Sequence, residues 1–190
     1  LEINASGLPE YKSTLTTCVS AILKPAFENA IIEGYIQATP FIVSFPTIKS
    51  NYEIQPFNLQ EIDLILSHEE NPYKNFLGVA FFTGARTGEI LALEWKDIDF
   101  ENKTITINKT RTLGITKIPK TKSSIRVIDM LPQCEFFLKE QRKITGLGKY
   151  VFLKSNGKMY NNSGDLLYEW YKLLEKLNLE KRNIYQTRHS

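Results

Sequence analysis

Residues 76–82 read Phe-Leu-Gly-Val-Ala-Phe-Phe, a run too apolar for a surface, and Ile90, Leu91 and Leu93 open a second buried pattern shortly after it. Between the two lie Gly84, suited to a helix end, and Arg86. A chain built this way has to set one arginine on a turn between buried helical segments, aimed by what packs on either side. The planar guanidinium presents a rigid fork of donors that suits a phosphate, and Glu89, one helical turn on, is spaced to hold it. The alternative is a structural Arg-Glu pair that closes a helix corner.

Beyond this turn the period changes. After Asp97-Ile98-Asp99-Phe100, a turn at Glu101-Asn102-Lys103 leads into Thr104-Ile105-Thr106-Ile107, alternating and β-branched, which predicts a strand of a hairpin or small antiparallel sheet. Leu113-Gly114 marks a further turn, and more strand follows between Ile118 and Ile128. Helices flank these strands. Asn58-Leu59-Gln60-Glu61 is a capping box for a helix continued by Ile62, Ile65 and Leu66. Asn162 or Ser163 introduces an amphipathic helix carrying Leu167, Trp170, Leu174 and Leu177, with Tyr168 and Tyr171 at its core or boundary. The fold class expected is mainly α with a small antiparallel β-sheet, that is, α+β.

The N-terminal fifth reads as a separate unit. Thr14 is a candidate cap for a helix with Leu15, Val19, Ile22, Leu23, Phe27 and Ile31 at helical spacing, Pro25 a kink or break, and Gly34 the end. One or two helices cannot bury such a face alone, so residues 1–45 are expected to be part of a larger helical domain. Residues 46–56, bracketed by Pro46 and Pro56 and without periodicity, read as a linker to a second domain over 57–190.

Composition excludes several classes. A chain of 190 residues, 42% hydrophobic, supports one full core and a smaller unit. It shows no apolar run long enough to cross a membrane and no signal peptide. Cys18 and Cys134, both on apolar helical faces, are expected as buried thiols in a reducing cytoplasm. The two histidines are not paired at ligand spacing, which argues against a metal site, and no phosphate-cradling glycine loop implies a nucleotide cofactor. Net charge is only +3, but between Glu101 and Arg126 seven cations (Lys103, Lys109, Arg111, Lys117, Lys120, Lys122, Arg126) face one acid, so that segment carries +6 and the remainder −3. Cations alternating with strand residues lie on a face, and such a face suits a nucleic-acid backbone.

Three segments in order resemble the tyrosine recombinases, the phage-integrase family. Thr83, Gly84, Arg86, Glu89, Leu93, Trp95, Asp97, Ile98 and Asp99 fit its first active-site pattern, roughly T-G-x-R-x-x-E-x-x-x-L-x-W-x-D-I-D. Lys120-Thr121-Lys122-Ser123-Ser124-Ile125-Arg126 resembles its K-T-x-x-S-x-R hairpin, with Lys120 in the place of the lysine that acts as general acid toward the leaving 5′ oxygen and Lys122 as the fallback one register away. Tyr185-Gln186-Thr187-Arg188-His189 resembles the second motif, H-x-x-R-H, in which Arg188 would be the second phosphate clamp. Tyr185 stands where the family usually has histidine; it can donate a hydrogen bond to a phosphate oxygen but is a poor base near neutral pH. His189 is expected to pack beside Arg188.

The resemblance implies an integrase-like catalytic domain over 57–190, preceded by the end of a helical core-binding (SAM-like) domain over 1–45. It implies double-stranded DNA as partner, a synaptic homo-tetramer of the parent protein, no cofactor, no metal, no membrane and a cytoplasmic location. In the family a tyrosine nucleophile follows the second motif; Tyr160, Tyr168, Tyr171 and Tyr185 all precede Arg188, so the nucleophile is expected outside this chain, which reads as an internal fragment. The activity implied is site-specific recombination by strand cleavage and rejoining through a 3′-phosphotyrosyl intermediate. The alternative is a non-catalytic DNA-binding relative or truncated integrase that occupies recombination sites without cutting them. A basic α+β interaction module unrelated to the family would need all three matches to coincide.

Overall fold

The computed structural model describes residues 11–40, 53–118 and 125–190, with side chains from residue 18 onward. The chain divides into two compact units, Leu1–Tyr52 and Glu53–Ser190.

The first unit contributes α1, Tyr11–Ile32. Helical backbone already spans residues 11–13, so Thr14 lies inside the helix rather than capping it. The helix also runs through Pro25, which removes one backbone donor but does not end a helix of this length. Gly34, at φ +77°, closes it, with the Tyr35 amide returning to the Ala30 carbonyl at 2.9 Å. Val19, Ile22 and Ile32 stay exposed along α1, and Cys18 is exposed too, contrary to the expected buried thiol. The expected linker falls largely on residues 41–52, outside the described residues.

The second unit opens with α2, Leu59–Ser67, whose capping box forms as expected: the Glu61 amide donates to Asn58 Oδ1 and the Asn58 amide to Glu61 Oε2, both at 2.9 Å. Glu61 is used twice, because Arg182 clamps it through Nη1 (3.0 Å) and Nη2 (2.5 Å) while stacking over Phe57 at 4.5 Å. That contact ties the end of the chain to its beginning within this unit.

α3, Lys74–Thr83, is the central helix. Phe76, Leu77, Val79, Ala80 and Phe81 are all buried, so nearly every face is covered, chiefly by α5, Pro132–Thr145. The two approach closely at Gly78, where a Cβ would enter the Phe137 ring. α5 starts with proline in its first turn and ends with Arg142 and Lys143, each favourable to its helix end. α6, Gly164–Lys176, buries Leu166, Trp170, Leu173 and Leu174 on one stripe, and Trp170 Nε1 donates to the Arg182 carbonyl at 2.8 Å. Tyr168, on the same helix, is exposed rather than at the core boundary, because it lies off that stripe.

The β portion is small and antiparallel. β1 (Ile98–Asp99), β2 (Thr104–Ile107) and β5 (Arg126–Asp129) form one sheet in that order; β3 (Thr110–Thr112) and β4 (Ile115–Lys117) form a separate hairpin. Leu113 (φ 51°) and Gly114 (φ 76°) make its two-residue turn, both in the left-handed region that such hairpins require. The segment expected as a lysine hairpin falls largely on residues 119–124, including Lys120 and Lys122, which lie outside the described residues. Ile105 and Ile107 face the core from β2, and α4 (Thr87–Ile90) rests directly on β3.

Candidate active site

Thr83 Oγ1 donates to the Val79 carbonyl at 2.6 Å and accepts from the Ala85 amide at 3.2 Å, closing the end of α3. Gly84 follows in the left-handed region (φ +57°), its amide on the Ala80 carbonyl, and α4 starts one residue after Arg86. Arg86 thus occupies the cap position of a single helical turn. Its amide donates to Glu89 Oε2 at 2.8 Å and its Nη1 to Glu89 Oε1 at 3.0 Å. Backbone and side chain of one arginine are held by one carboxylate.

Glu89 is 5% exposed, yet its acid is held below the usual carboxylate range. Burial pushes it up, but Arg126, the Arg86 amide and the Arg86 guanidinium together outweigh burial. Arg126 supplies two of these contacts, Nη1 to Oε1 at 3.2 Å and Nη2 to Oε2 at 2.8 Å. The Arg86 guanidinium is held more firmly in its charged form, first by the hydrogen bond and charge of Glu89, with a smaller contribution from the nearby Tyr185. About half of the Arg86 side chain (54%) remains open to solvent.

The second motif arrives on a 3₁₀ segment, Ile184–Arg188, started by Asn183, whose side chain accepts from the Tyr185 amide at 2.9 Å. Ile184, Gln186 and Thr187 turn inward and fix the segment against α3. Arg188 Nη1 donates to the carbonyl of Gly84 at 2.9 Å, so the second arginine is anchored to the glycine of the turn that carries the first. Tyr185 meets the His189 ring edge-on, with centroids 5.3 Å apart. The structure brings Arg86, Glu89, Tyr185, Arg188 and His189 to one place.

The basic segment is less uniform than its sequence. Lys109 is only 14% exposed and binds Asp97 at 2.7 Å and Glu94 at 3.3 Å. The buried carboxylates of Glu94 and Asp97 require that counter-charge, so Lys109 is occupied inside the fold. Arg126 is likewise occupied by Glu89. Lys103 pairs with Glu135, and Arg111 donates to the Tyr160 carbonyl and, at 3.0 Å, to Thr116 Oγ1; Lys117 is exposed. The Arg126–Glu89 contact is absent from the sequence-based expectations. A signal was present: Arg126 and Ile128 alternate on β5, opposite the buried Ile107 and Ile105, so that arginine belongs to an inward-facing row.

Residues 56–190 match the family model described as the phage integrase family. The chain is 26% identical to the prophage integrase IntR of Escherichia coli (strain K12), over 90% of this chain and 47% of that protein. It is 30% identical to the tyrosine recombinase XerC-like protein of Caldanaerobacter subterraneus subsp. tengcongensis, over 88% of this chain and 51% of that protein. It therefore spans about half the length of these curated relatives. Among solved structures it resembles the Tn1549 transposon integrase in complex with a circular intermediate DNA, with a TM-score of 0.76 and 23% identity over 98% of this chain and 67% of that one. With the family model covering most of the chain and both arginine motifs gathered at one turn, this protein belongs to the phage integrase family.

Proposed function

We propose that the full-length protein is a site-specific DNA recombinase and that this chain supplies its phosphate-binding half-site. The observation that carries this reading is the bond from Arg188 to Gly84, which mounts the second arginine on the turn of the first. Two guanidinium groups so tied can take the two non-bridging oxygens of one phosphodiester. Tyr185 contributes a hydrogen bond to the same oxygens, and Glu89 aims Arg86.

A tyrosine C-terminal to Arg188, outside this chain, attacks the phosphorus and gives up its phenolic proton to water. The P–O5′ bond breaks as a 3′-phosphotyrosyl bond forms, and Lys120 passes a proton to the departing 5′ oxygen. A 5′ hydroxyl from a second strand reverses these steps. Because the covalent link conserves the energy of the broken bond, no nucleotide cofactor is consumed. Lys103, Arg111 and Lys117 bear on the DNA backbone, while Lys109 and Arg126 serve the framework. The first unit is the end of a core-binding domain, and the working assembly is a tetramer on double-stranded DNA in the cytoplasm. Among the described residues no helix is long and apolar enough to cross a membrane.

The test is a titration of this chain with a generic 30-base-pair duplex across a salt series. Binding should weaken as salt rises, with fewer counterions released for Lys117→Gln. A salt-independent affinity contradicts the DNA-facing assignment.

A further inference from the structure

Arg126 is the strongest feature that the proposed reaction leaves unused. It stands on β5 opposite Ile107, and its guanidinium meets Glu89 with both terminal nitrogens. The sharing is orderly: Glu89 Oε1 accepts from Arg126 Nη1 and Arg86 Nη1, while Oε2 accepts from Arg126 Nη2 and the Arg86 amide. Each carboxylate oxygen is divided between an arginine that faces solvent and one that is rooted in the sheet. The Arg126 side chain is 31% exposed against 54% for Arg86.

Charge makes this arrangement matter. Two cations around one anion leave a net positive charge at the turn, and Glu89, already engaged by Arg126, uses only one terminal nitrogen of Arg86. With Arg126 removed, Glu89 would be free to close on Arg86 as a neutral, two-bonded pair, which spends the fork an anion needs. We propose that Arg126 is a positioning residue of the phosphate site: by holding Glu89 from the sheet side, it keeps the Arg86 fork open and charged toward an incoming phosphate. This rests on the reading of Arg86 as a phosphate ligand.

The experiment titrates the 190-residue chain with inorganic phosphate, following the Arg86 and Arg188 Nε–Hε signals by NMR. Arg126→Gln should weaken phosphate binding by about tenfold or more, as a small displacement of a charged ligand group does. Adding Glu89→Gln to Arg126→Gln should recover part of that loss, because the competing anion is gone; a merely structural role for Arg126 gives no such recovery. Arg126→Lys, with one charge but no fork, should fall between wild type and Arg126→Gln. Arg182→Gln, which breaks the remote clamp on Glu61, should lower the melting temperature and leave phosphate affinity unchanged.

Unaltered affinity in Arg126→Gln, or a double variant no better than the single one, overturns the proposal while the phosphate-site reading stands. If phosphate moves neither arginine signal in the wild type, both fall. Should the amide spectrum show Arg126→Gln unfolded, Arg126→Lys decides: weaker binding with a native spectrum supports the proposal, and unchanged binding overturns it.

Discussion

Replacing Glu89 with glutamine keeps the shape of the side chain and removes its charge, which isolates what the carboxylate does. Glu89 accepts four hydrogen bonds, two from Arg126, one from the Arg86 side chain and one from the Arg86 amide. Glutamine has one oxygen and presents an NH₂ group to a guanidinium, so at least two of the four are lost. A hydrogen bond to a charged group contributes about 1.5–3 kcal/mol when buried, but the Arg86 and Arg126 side chains are partly open to water, which screens the contacts. The net cost comes to about 3 kcal/mol, or roughly 10 °C in melting temperature for a unit of this size. The pH dependence has a definite sign. The folded-state acid lies below its ordinary value of 4.5, so its stabilisation is fully present above that value and is lost as pH falls through the lowered one. Calorimetry of both proteins from pH 7 to pH 3 should show the gap full near neutrality and narrowing below about pH 4.5 as wild-type Glu89 takes up a proton. A gap under about 2 °C at pH 7, or one unchanged down to pH 3, refutes the argument that this charge holds the turn together.

Other sites give equally direct tests. A Cβ on Gly88 would lie 2.8 Å from both the Arg111 carbonyl and Thr110 Oγ1, so Gly88→Ala should push α4 off β3, cost about 1–3 kcal/mol by thermal melting and weaken phosphate binding at Arg86; a variant as stable and as tight as wild type contradicts that contact. Gly78→Ala meets the Phe137 ring and should lower stability by a similar amount, about 1–3 kcal/mol, without touching anion binding in the folded protein. Burial pushes the Cys134 thiol up to about 12 while Cys18 is exposed, so an aromatic disulfide reagent at pH 8 should label Cys18 and reach Cys134 only on unfolding. Equal labelling rates would place Cys134 at the surface.

What the sequence made legible was local. The capping box at Asn58 and Glu61, the Leu113-Gly114 turn, the strand at Thr104–Ile107 and the Arg86 turn each involve residues within a few positions of one another, and all appear where their chemistry places them. The departures come from partners distant in the chain. By charge alone Lys109 and Arg126 belong to one basic face, because nothing nearby in the chain reveals that Asp97, Glu94 and Glu89 will claim them. Alternation on β5 could have shown which way Arg126 faces, but only once its register against β2 was known. Thr14 and Pro25 mark helix ends by residue type alone, and α1 overrides both. Cys18 and Tyr168 have apolar neighbours in sequence, yet their burial depends on elements that do not cover them in this structure.

The most direct test of the central claim is recovery of covalent protein–DNA adducts from cells expressing the full-length protein, purified under denaturing conditions, with the DNA-linked peptide identified by mass spectrometry. The expected result is a phosphotyrosyl link on a tyrosine that follows Arg188, and a fall in adduct yield of at least about a hundredfold in Arg86→Ala and in Arg188→Ala, the loss expected when a preorganised donor to a phosphoryl oxygen is removed. An adduct on any tyrosine of this chain, or one formed at full yield without either arginine, would contradict it.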